Sequence, residues 1–548
     1  MLKIKTMQIK LISLIILLNV ISKSHGQPDS RFRPFDWVLY KSSGSVLSIS
    51  EGYNYAYFGT ASGGIKRFNL FNNSFDYPLT VAQGLKKNEI SAVHFDKKTG
   101  FLWAATPEYV QYSFSREGDW YPISLSSLGL SRFDVVSRIG STESFIWLQA
   151  RSSFVKLDNS LGTLVGIFSR PDEPKIQWSS GPYVSQIQLR EILNNYHFLE
   201  SWVYNGDQLT DAIGRVSLIS TGFIGNHKNI YFGSDDGTIF FGTSIMQTLT
   251  PLDSPIANDD ISSLTLHDGT MWIGSKNYIL SKGISKMNIV DMSTELYSFE
   301  ETINMQPTSV YSLKYSGNEL WAGGERSILY YNLKDNFWRT LGEVKGVPSG
   351  LVYDLEADET HLWVATSDGF GRIERATLSS DPMGIEDIFV GFPIYDIEKI
   401  DDQLWLGTSR GIFIFYINNP QVLNINSIGR KTFPDNLYNI VSIKKFKDIV
   451  YIVSDKGIVT FDLESKEWVI SFRSGLYNDK DVYSMTVNDK FIFLGLEDGL
   501  VRINRMTGMV KDYPFSFIGQ VNDIIIDEKN AWLGTANGLI NFRWRRDL

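Results

Sequence analysis

The chain has 548 residues, with 52 lysines and arginines against 61 aspartates and glutamates, and its formal net charge is −9. This acidic balance disfavours binding to nucleic acids and to anionic membranes. The chain contains no cysteine, which excludes disulfides, thiolate metal sites and thiol nucleophiles. Since 43% of its residues are hydrophobic, the chain can bury a large core without such cross-links.

The first residues have the layout of a secretory signal peptide, over residues 1–26. Three lysines precede an apolar run over residues 11–21, and Ser24-His25-Gly26 supplies small residues for cleavage after Gly26. A membrane anchor is the alternative, but the run is shorter than the roughly 20 residues that span a bilayer. No later segment is apolar enough to span, so we expect an exported protein with no membrane span after cleavage.

Residues 31–40 contain a short strand, Pro34 to Tyr40, that resembles the outer strands of repeats further along the chain. The last repeat stops at Asn541-Phe542-Arg543-Trp544 and lacks a clear outer strand. Pairing between the two segments would close a ring and shield both strand edges. On this hypothesis the first ring of the protein is an insertion within the second.

A repeat then runs to the end of the chain: apolar–aromatic–apolar–Gly/Ala–Thr/Ser, a polar turn and a second short strand. Its clearest copies start at Leu362, Leu404 and Ala531. A repeat of about 40–45 residues built from short strands predicts propeller blades, with the aromatic side chain wedged between neighbouring blades. The aromatic position is occupied by Tyr57, Trp103, Trp147, Tyr231, Trp272, Trp321, Trp363, Trp405, Tyr451, Phe493 and Trp532.

The spacing of these aromatic residues predicts an all-β fold of tandem β-propellers with about twelve four-stranded blades. The gap between Trp147 and Tyr231 is two repeats long and predicts a degenerate blade near residues 170–215; an insertion within an existing blade is the alternative. Since propellers usually have four to eight blades, we expect two six-bladed rings, over residues 41–303 and 304–548. Five plus seven blades, or one oversized ring, remain alternatives.

The phrase Leu-Trp-x-Gly-Thr-x-x-Gly-Ile at Leu404 and the Gly-Leu loops at Gly84 and Gly475 resemble the two-component-regulator propeller repeat family. In that family, paired propellers often form the sensor half of membrane histidine kinases, and other members are free-standing exported proteins. The resemblance implies a bacterial protein of the cell envelope. Because the sequence shows no kinase part after the last repeat, we expect a free-standing member.

Signals for catalysis are weak. The five histidines outside the leader are scattered without metal-ligand spacing, and no nucleophile elbow or phosphate-binding loop occurs. Acidic turns such as Asp235-Asp236-Gly237 supply too few oxygens for a calcium cage. We therefore expect no catalytic residue, no metal and no cofactor.

Binding propellers use the face where the turns between second and third strands gather around a central funnel. Most of these turns are Ser/Thr-x-x-Gly, and the exceptions include Arg151, Arg326 and Arg410, which are candidate binding residues for a carboxylate or an acidic sugar. We expect a non-catalytic exported binding or scaffold protein, in the periplasm or at the cell surface, that recognises an envelope protein or glycan. A propeller-type polysaccharide lyase or glycosidase is the alternative.

Overall fold

The structure is a computed structural model. It describes residue 28 and residues 31–131, 133–151, 153–181, 193–206, 208–211, 216–243, 245–253, 256–276, 282–342, 349–425, 438–454 and 457–548. The predicted signal peptide and parts of the predicted degenerate blade lie outside the described residues.

The chain up to residue 253 forms one edge strand, β1 (Trp37–Tyr40), followed by four antiparallel sheets, β2–β5, β6–β9, β10–β13 and β18–β21. Four short strands, β14 to β17, attach to the third and fourth of these sheets. Strands β2 to β21 span, in order, Val46–Glu51, Tyr55–Thr60, Ile65–Asn69, Ser74–Leu79, Ala92–Phe95, Leu102–Ala105, Tyr109–Ser113, Tyr121–Ser124, Val136–Ser141, Phe145–Ala150, Ser153–Asp158, Leu164–Phe168, Gln177–Trp178, His197–Phe198, Val203–Asn205, Gln208–Thr210, Val216–Ile224, Asn229–Ser234, Ile239–Thr243 and Thr248–Asp253.

The rest of the chain forms seven sheets: six of four strands each, β22–β45, and a last sheet that contains β46–β48. Strands β22 to β48 span, in order, Ile261–His267, Thr270–Ser275, Gly283–Asn288, Thr294–Ser298, Ser312–Ser316, Glu319–Gly323, Ser327–Asn332, Phe337–Gly342, Val352–Ala357, His361–Thr366, Gly369–Glu374, Ser379–Ser380, Ile394–Ile400, Gln403–Thr408, Gly411–Tyr416, Gln421–Asn424, Ser442–Phe446, Ile449–Ser454, Gly457–Asp462, Glu467–Arg473, Val482–Val487, Phe491–Leu496, Gly499–Asn504, Val510–Tyr513, Val521–Ile526, Ala531–Thr535 and Gly538–Phe542. The predicted all-β fold built from blade-like sheets is confirmed.

The first strands of these seven sheets contact one another in a closed order, β22–β26–β30–β34–β38–β42–β46 and back to β22. The first strand of each sheet therefore lies nearest the axis of a ring. We call this part of the molecule, with β1, the seven-sheet ring. The second strand of each sheet is a continuous apolar run, as in β39, because neighbouring sheets cover both of its faces.

The first strands of the other four sheets contact one another in the order β18–β2–β6–β10. We call these sheets the four-sheet group. Residues 177–181 bridge three of its strands: β14 pairs with β10, and the backbone N–H of Ser180 donates to the Ile49 carbonyl of β2 at 2.9 Å. The Thr221 hydroxyl of β18 donates to the Ser180 hydroxyl at 2.8 Å.

This arrangement differs from the predicted two rings of six. Within the described residues the strands form eleven sheets, and residues 170–215 contribute added strands to existing sheets, as in the insertion alternative. The predicted limits 41–303 and 304–548 would cut through the seven-sheet ring, because β22–β25 belongs to it. The spacing between Trp272 and Trp321 is long because the connection between their sheets is long. Phe299 and Met305 of this connection pack into the core between the first two sheets of the ring. That the two groups fold as separate domains stays a prediction.

Strand β1 is the outermost strand of the last sheet and pairs antiparallel with β48, with Trp37 opposite Phe542 and Tyr40 opposite Leu539. The Trp37 and Phe542 rings stack with centroids 3.7 Å apart. At the start of β48, Gly538 has φ +134°, and a Cβ there would overlap the Tyr40 carbonyl oxygen. The two ends of the chain thus complete one sheet of the seven-sheet ring.

The eleven aromatic residues of the repeated position are all buried, with 0 to 4% exposure. Ten of them pack into a hydrophobic cluster shared with the following sheet: Trp405, for example, packs with Ile440 and Ile443. Trp532 of the last sheet packs in the same way with Ile261 of the first, so the contact continues around the closed ring.

Trp147 is the exception, because the segment after its sheet is irregular. Its indole N–H donates to the Glu173 carboxylate at 3.0 Å, and the Lys156 ammonium lies 5.0 Å from the centre of its ring. Lys156 also pairs with Asp172 at 2.8 Å and Glu173 at 3.2 Å. Polar groups thus cover this tryptophan where a neighbouring sheet would otherwise pack.

Helices contribute little to the fold. Short 3-10 turns occur at Val81–Gln83, Leu125–Leu128, Asn226–Lys228, Glu386–Ile388, Ser474–Tyr477 and Trp544–Asp547. Over the described ranges, no helix has the length and apolar character needed to cross a bilayer.

Candidate functional site

A funnel opens at one face of the seven-sheet ring. Its rim consists of seven residues that occupy equivalent positions in the seven sheets. In each sheet this position is the second residue of the innermost strand or the residue immediately before that strand. The seven residues are Ser262, Tyr311, Tyr353, Tyr395, Val441, Tyr483 and Asn522, and all of them line the same cavity. Because every sheet contributes one side chain, the rim exists only when the ring is closed.

The cavity has a volume of about 650 Å³ and is rich in tyrosine. The rings of Tyr353 and Tyr395, from neighbouring sheets, lie with centroids 5.6 Å apart. The segment between β41 and β42 adds Tyr477 together with the charged residues Asp479, Lys480 and Asp481. A volume of this size accommodates a small ligand or a short segment of a larger one.

Hydrogen bonds fix the polar part of the rim. The Lys276 ammonium donates to the Asn522 side-chain oxygen at 3.0 Å, and the Asn522 amide donates to the Ile261 carbonyl at 2.7 Å. The Tyr311 hydroxyl donates to the Glu325 carboxylate at 3.1 Å. Burial lowers the pKa of Lys276, which the charge of Asp260 partly opposes. The rim thus combines aromatic faces with positioned donors and acceptors.

Below the rim, carboxylates hold neighbouring innermost strands together. Asp354 accepts the backbone N–H of Ile397 at 2.8 Å, and Asp396 accepts that of Ile443. Asp523 accepts the N–H of Leu264 at 2.7 Å, across the junction between the last and the first sheet. A carboxylate that accepts a backbone N–H in this way makes a strong, directed link.

Lys444 is the cation that these carboxylates share. Its ammonium lies 3.5 Å from Asp396 and 3.8 Å from Glu398. Burial alone would lower the pKa of Lys444, but the charges of Asp396 and Glu398, with Asp354 and Asp523, raise it above its ordinary value. Since Asp354 and Asp523 belong to sheets two places away on either side, the ammonium lies near the ring axis.

Burial also changes the pKa of the neighbouring carboxyl groups. Desolvation, followed by the charge of Asp396, raises the pKa of Asp354 well above its ordinary value. Burial also raises the pKa of Asp523 and of Glu398. The innermost strands of the ring therefore hold carboxylates whose pKa is raised, together with one lysine whose pKa is also raised.

The three arginines predicted as binding residues lie apart, and none of them lines the cavity. Arg151 is in the turn between β11 and β12 of the four-sheet group, where it contributes to a lowered pKa of Asp134 after the stronger effect of Ser131. Arg326 is in the turn between β27 and β28. Arg410, in the turn between β35 and β36, has its guanidinium 4.2 Å from the Phe392 ring centre. Their role in binding stays a prediction.

Sequence reasoning missed the rim tyrosines, although a signal was available. Tyr311, Tyr353 and Tyr395 are separated by the same spacing as the buried aromatics Trp321, Trp363 and Trp405. A second aromatic repeat in phase with the first, at the start of the innermost strand, indicates side chains that gather at the axis.

The cavity offers aromatic faces and scattered hydrogen-bonding groups. The described residues that line the cavity include no histidine, arginine or glutamate, and its carboxylates, Asp479 and Asp481, lie in one loop. Across the described ranges, no group of three or more His, Asp or Glu side chains is arranged to hold a metal ion. Tyrosine rings with scattered hydrogen-bonding groups are suited to contact a ligand through flat faces and hydroxyls.

A scan of protein-family models found no match, and neither did a search of the curated proteins. Among solved structures, the extracellular domain of a hybrid two-component system of B. thetaiotaomicron is 15% identical, over 90% of this chain and 75% of that chain, with a TM-score of 0.44. The extracellular domain of a one-component system from the same organism is 15% identical, over 90% of this chain and 69% of that chain, with a TM-score of 0.42. Virginiamycin B lyase of Staphylococcus aureus is 15% identical, over 52% of this chain and 93% of that chain, with a TM-score of 0.42. At such low identities and TM-scores, these similarities carry no argument about function.

Proposed function

We propose that this chain is a non-catalytic exported binding protein whose ligand enters the tyrosine-lined funnel of the seven-sheet ring. The observation that supports the proposal is the convergence of one side chain from each of seven sheets on a single cavity, four of them tyrosines. The leader-like segment over residues 1–26 supports export, to the periplasm or the cell surface.

Among the two partner classes expected from the sequence, a glycan suits this funnel better than a protein surface. Flat tyrosine faces pack against the apolar faces of sugar rings, while hydroxyl, amide and ammonium groups of the rim hydrogen-bond to sugar hydroxyls. The cavity is concave and of small-molecule size, whereas protein partners usually cover a wider and flatter area.

The proposal is tested by a glycan array followed by calorimetric titration of the best oligosaccharide. We expect Y353A and Y395A to weaken binding about tenfold each, because each loses one aromatic contact worth roughly 1–1.5 kcal/mol. Y121A is the matched control, since Tyr121 is 56% exposed on β9, outside the cavity. It should bind as the wild type does.

Two results would contradict the proposal. One is the absence of glycan binding together with capture of a peptide that Y353A leaves unchanged. The other is turnover: shortened or unsaturated products released from a polysaccharide by the pure protein would establish the lyase or glycosidase alternative.

A further inference from the structure

A second cavity, of about 420 Å³, lies where the seven-sheet ring meets the four-sheet group. We call it the junction cavity. Tyr77 of β5 belongs to the four-sheet group, while the other lining residues come from the seven-sheet ring. Ile289, Val290 and Met292, in the turn between β24 and β25, form an apolar part of the wall. The cavity shares no residue with the funnel.

Four basic residues line the junction cavity, in a chain whose formal net charge is −9. They are Lys529, in the turn between β46 and β47, and Arg543, Arg545 and Arg546, which follow β48. The cavity therefore has a positive potential, in contrast to the net negative charge of the chain, and this potential attracts anions.

Only one of these cations has a carboxylate partner within 4 Å among the described residues. Arg546 pairs with Asp36 at 2.7 Å. Arg543 donates to the Tyr77 hydroxyl at 2.8 Å and lies 5.2 Å from the centre of that ring. Arg545 lies 5.7 Å from the centre of the Trp544 ring. The side chains of Lys529, Arg543 and Arg545 thus have no carboxylate within 4 Å among the described residues.

Like charges gathered around one cavity repel each other, and an anion between them removes that repulsion. Guanidinium groups present paired N–H donors whose geometry matches a carboxylate or a phosphate. The volume of the cavity admits a small molecule, and its apolar wall can contact a short hydrocarbon part.

We propose that the junction cavity binds a small ligand that carries at least two carboxylate or phosphate groups. Arg543, held by Tyr77, supplies the fixed cation, and Lys529 and Arg545 supply the adaptable ones. Because the wall contains residues of both sheet groups, the bound ligand bridges them.

The test is calorimetric titration of the full chain with citrate, which carries carboxylates, and with pyrophosphate, at about 20 mM salt and again near physiological ionic strength. The informative variant is K529Q/R545Q, because neither side chain donates a hydrogen bond within the described residues and both are exposed. R170Q is the matched control, since Arg170 is an exposed arginine of the four-sheet group away from the cavity.

We expect one of the two anions to bind the wild type and R170Q equally, K529Q/R545Q to bind it at least about tenfold more weakly, and added salt to weaken binding. The preferred anion identifies the chemical group of the ligand. Binding of neither anion at low salt, or equal affinity of K529Q/R545Q and wild type, would overturn the proposal. Y353A, which acts only in the funnel, should leave this binding unchanged.

Discussion

The seven-sheet ring and the four-sheet group are built from the same repeat but close differently. In the ring, the contact between the last and the first sheet is of the same kind as the others: Trp532 packs with Ile261, and Asp523 accepts the N–H of Leu264. In the four-sheet group, the sheet β10–β13 is followed by the irregular segment 172–181, part of which pairs with β10. Seven sheets that pack against one another in this way form a closed ring. The four sheets of the other group do not, and polar contacts of the segment 172–181 complete that group.

The two groups of sheets differ in the kind of side chain that makes the closing contact. Packing of Trp532 with Ile261 supplies the apolar part of the ring closure, where burial is nondirectional, and the Asp523–Leu264 hydrogen bond adds one directed contact. The four-sheet group is closed by Glu173, Lys156 and Ser180, whose hydrogen bonds depend on geometry. Removing one partner of such a polar contact is destabilising, because the buried group that remains has lost its hydration and has no hydrogen bond in exchange.

The largest expected effect comes from deleting residues 31–40, which removes β1 from the last sheet of the ring. Trp37 is fully buried, and W37A alone should cost about 3–5 kcal/mol. Hydrogen exchange read by mass spectrometry should show residues 521–542 losing protection before residues 46–79. Equal loss in both regions would contradict the assignment of β1 to the ring.

Removing the cation at the ring axis should have the next largest effect. K444M leaves Asp396 and Glu398 without their ammonium. Because the Lys444 side chain is 39% exposed and solvent screens these pairs, we expect a loss of about 2–3 kcal/mol in urea denaturation, confined to the seven-sheet ring. K447M is the matched control, because the Lys447–Asp489 pair is exposed and should contribute less than about 1 kcal/mol. Equal stability of the two variants would show that Lys444 does not hold the axis together.

The two kinds of aromatic environment can be compared directly with W147F and W321F. Both remove part of a fully buried ring, but only Trp147 donates its N–H to a carboxylate, while the Trp321 N–H has no described partner. W147F should therefore be less stable than W321F by about 1.5–3 kcal/mol. Thermal or chemical unfolding measures the difference, and equal losses would mean that the Trp147–Glu173 hydrogen bond contributes no net stability.

The smallest effect concerns pH. The pKa of Asp354 is raised in the fold, so the folded state keeps this proton above about pH 3.9, where the unfolded chain releases it. The stabilisation is fully present below that pH and is lost as the pH rises through the folded pKa. The stability of the wild type relative to D354N should therefore fall between acidic and neutral pH. A stability difference that stays constant with pH would contradict the raised pKa.

Local packing could be predicted from the sequence, but ring composition could not. The eleven aromatic positions, such as Trp405, and the strand around Trp37 are marked by residues whose burial depends on near neighbours. The number of sheets in a ring depends on which sheet packs against the last one and closes the ring. The sequence around Trp532 and around Ile261 does not indicate that these two residues pack together. The tyrosine rim was missed because the regular spacing of Tyr353 and Tyr395 becomes informative only when seven strands are placed around one axis.

The contacts of Asp259 have a practical consequence. Its carboxylate lies 2.6 Å from the Lys41 ammonium and 2.7 Å from the backbone nitrogen of Ser42, so the places where the chain leaves and re-enters the seven-sheet ring are adjacent. We therefore predict that the four-sheet group can be removed between these two points without loss of the ring. A shortened chain that joins Ser42 to Asp259 by a brief turn should retain all the strands of the ring, and another protein module whose termini lie close together could be grafted in its place.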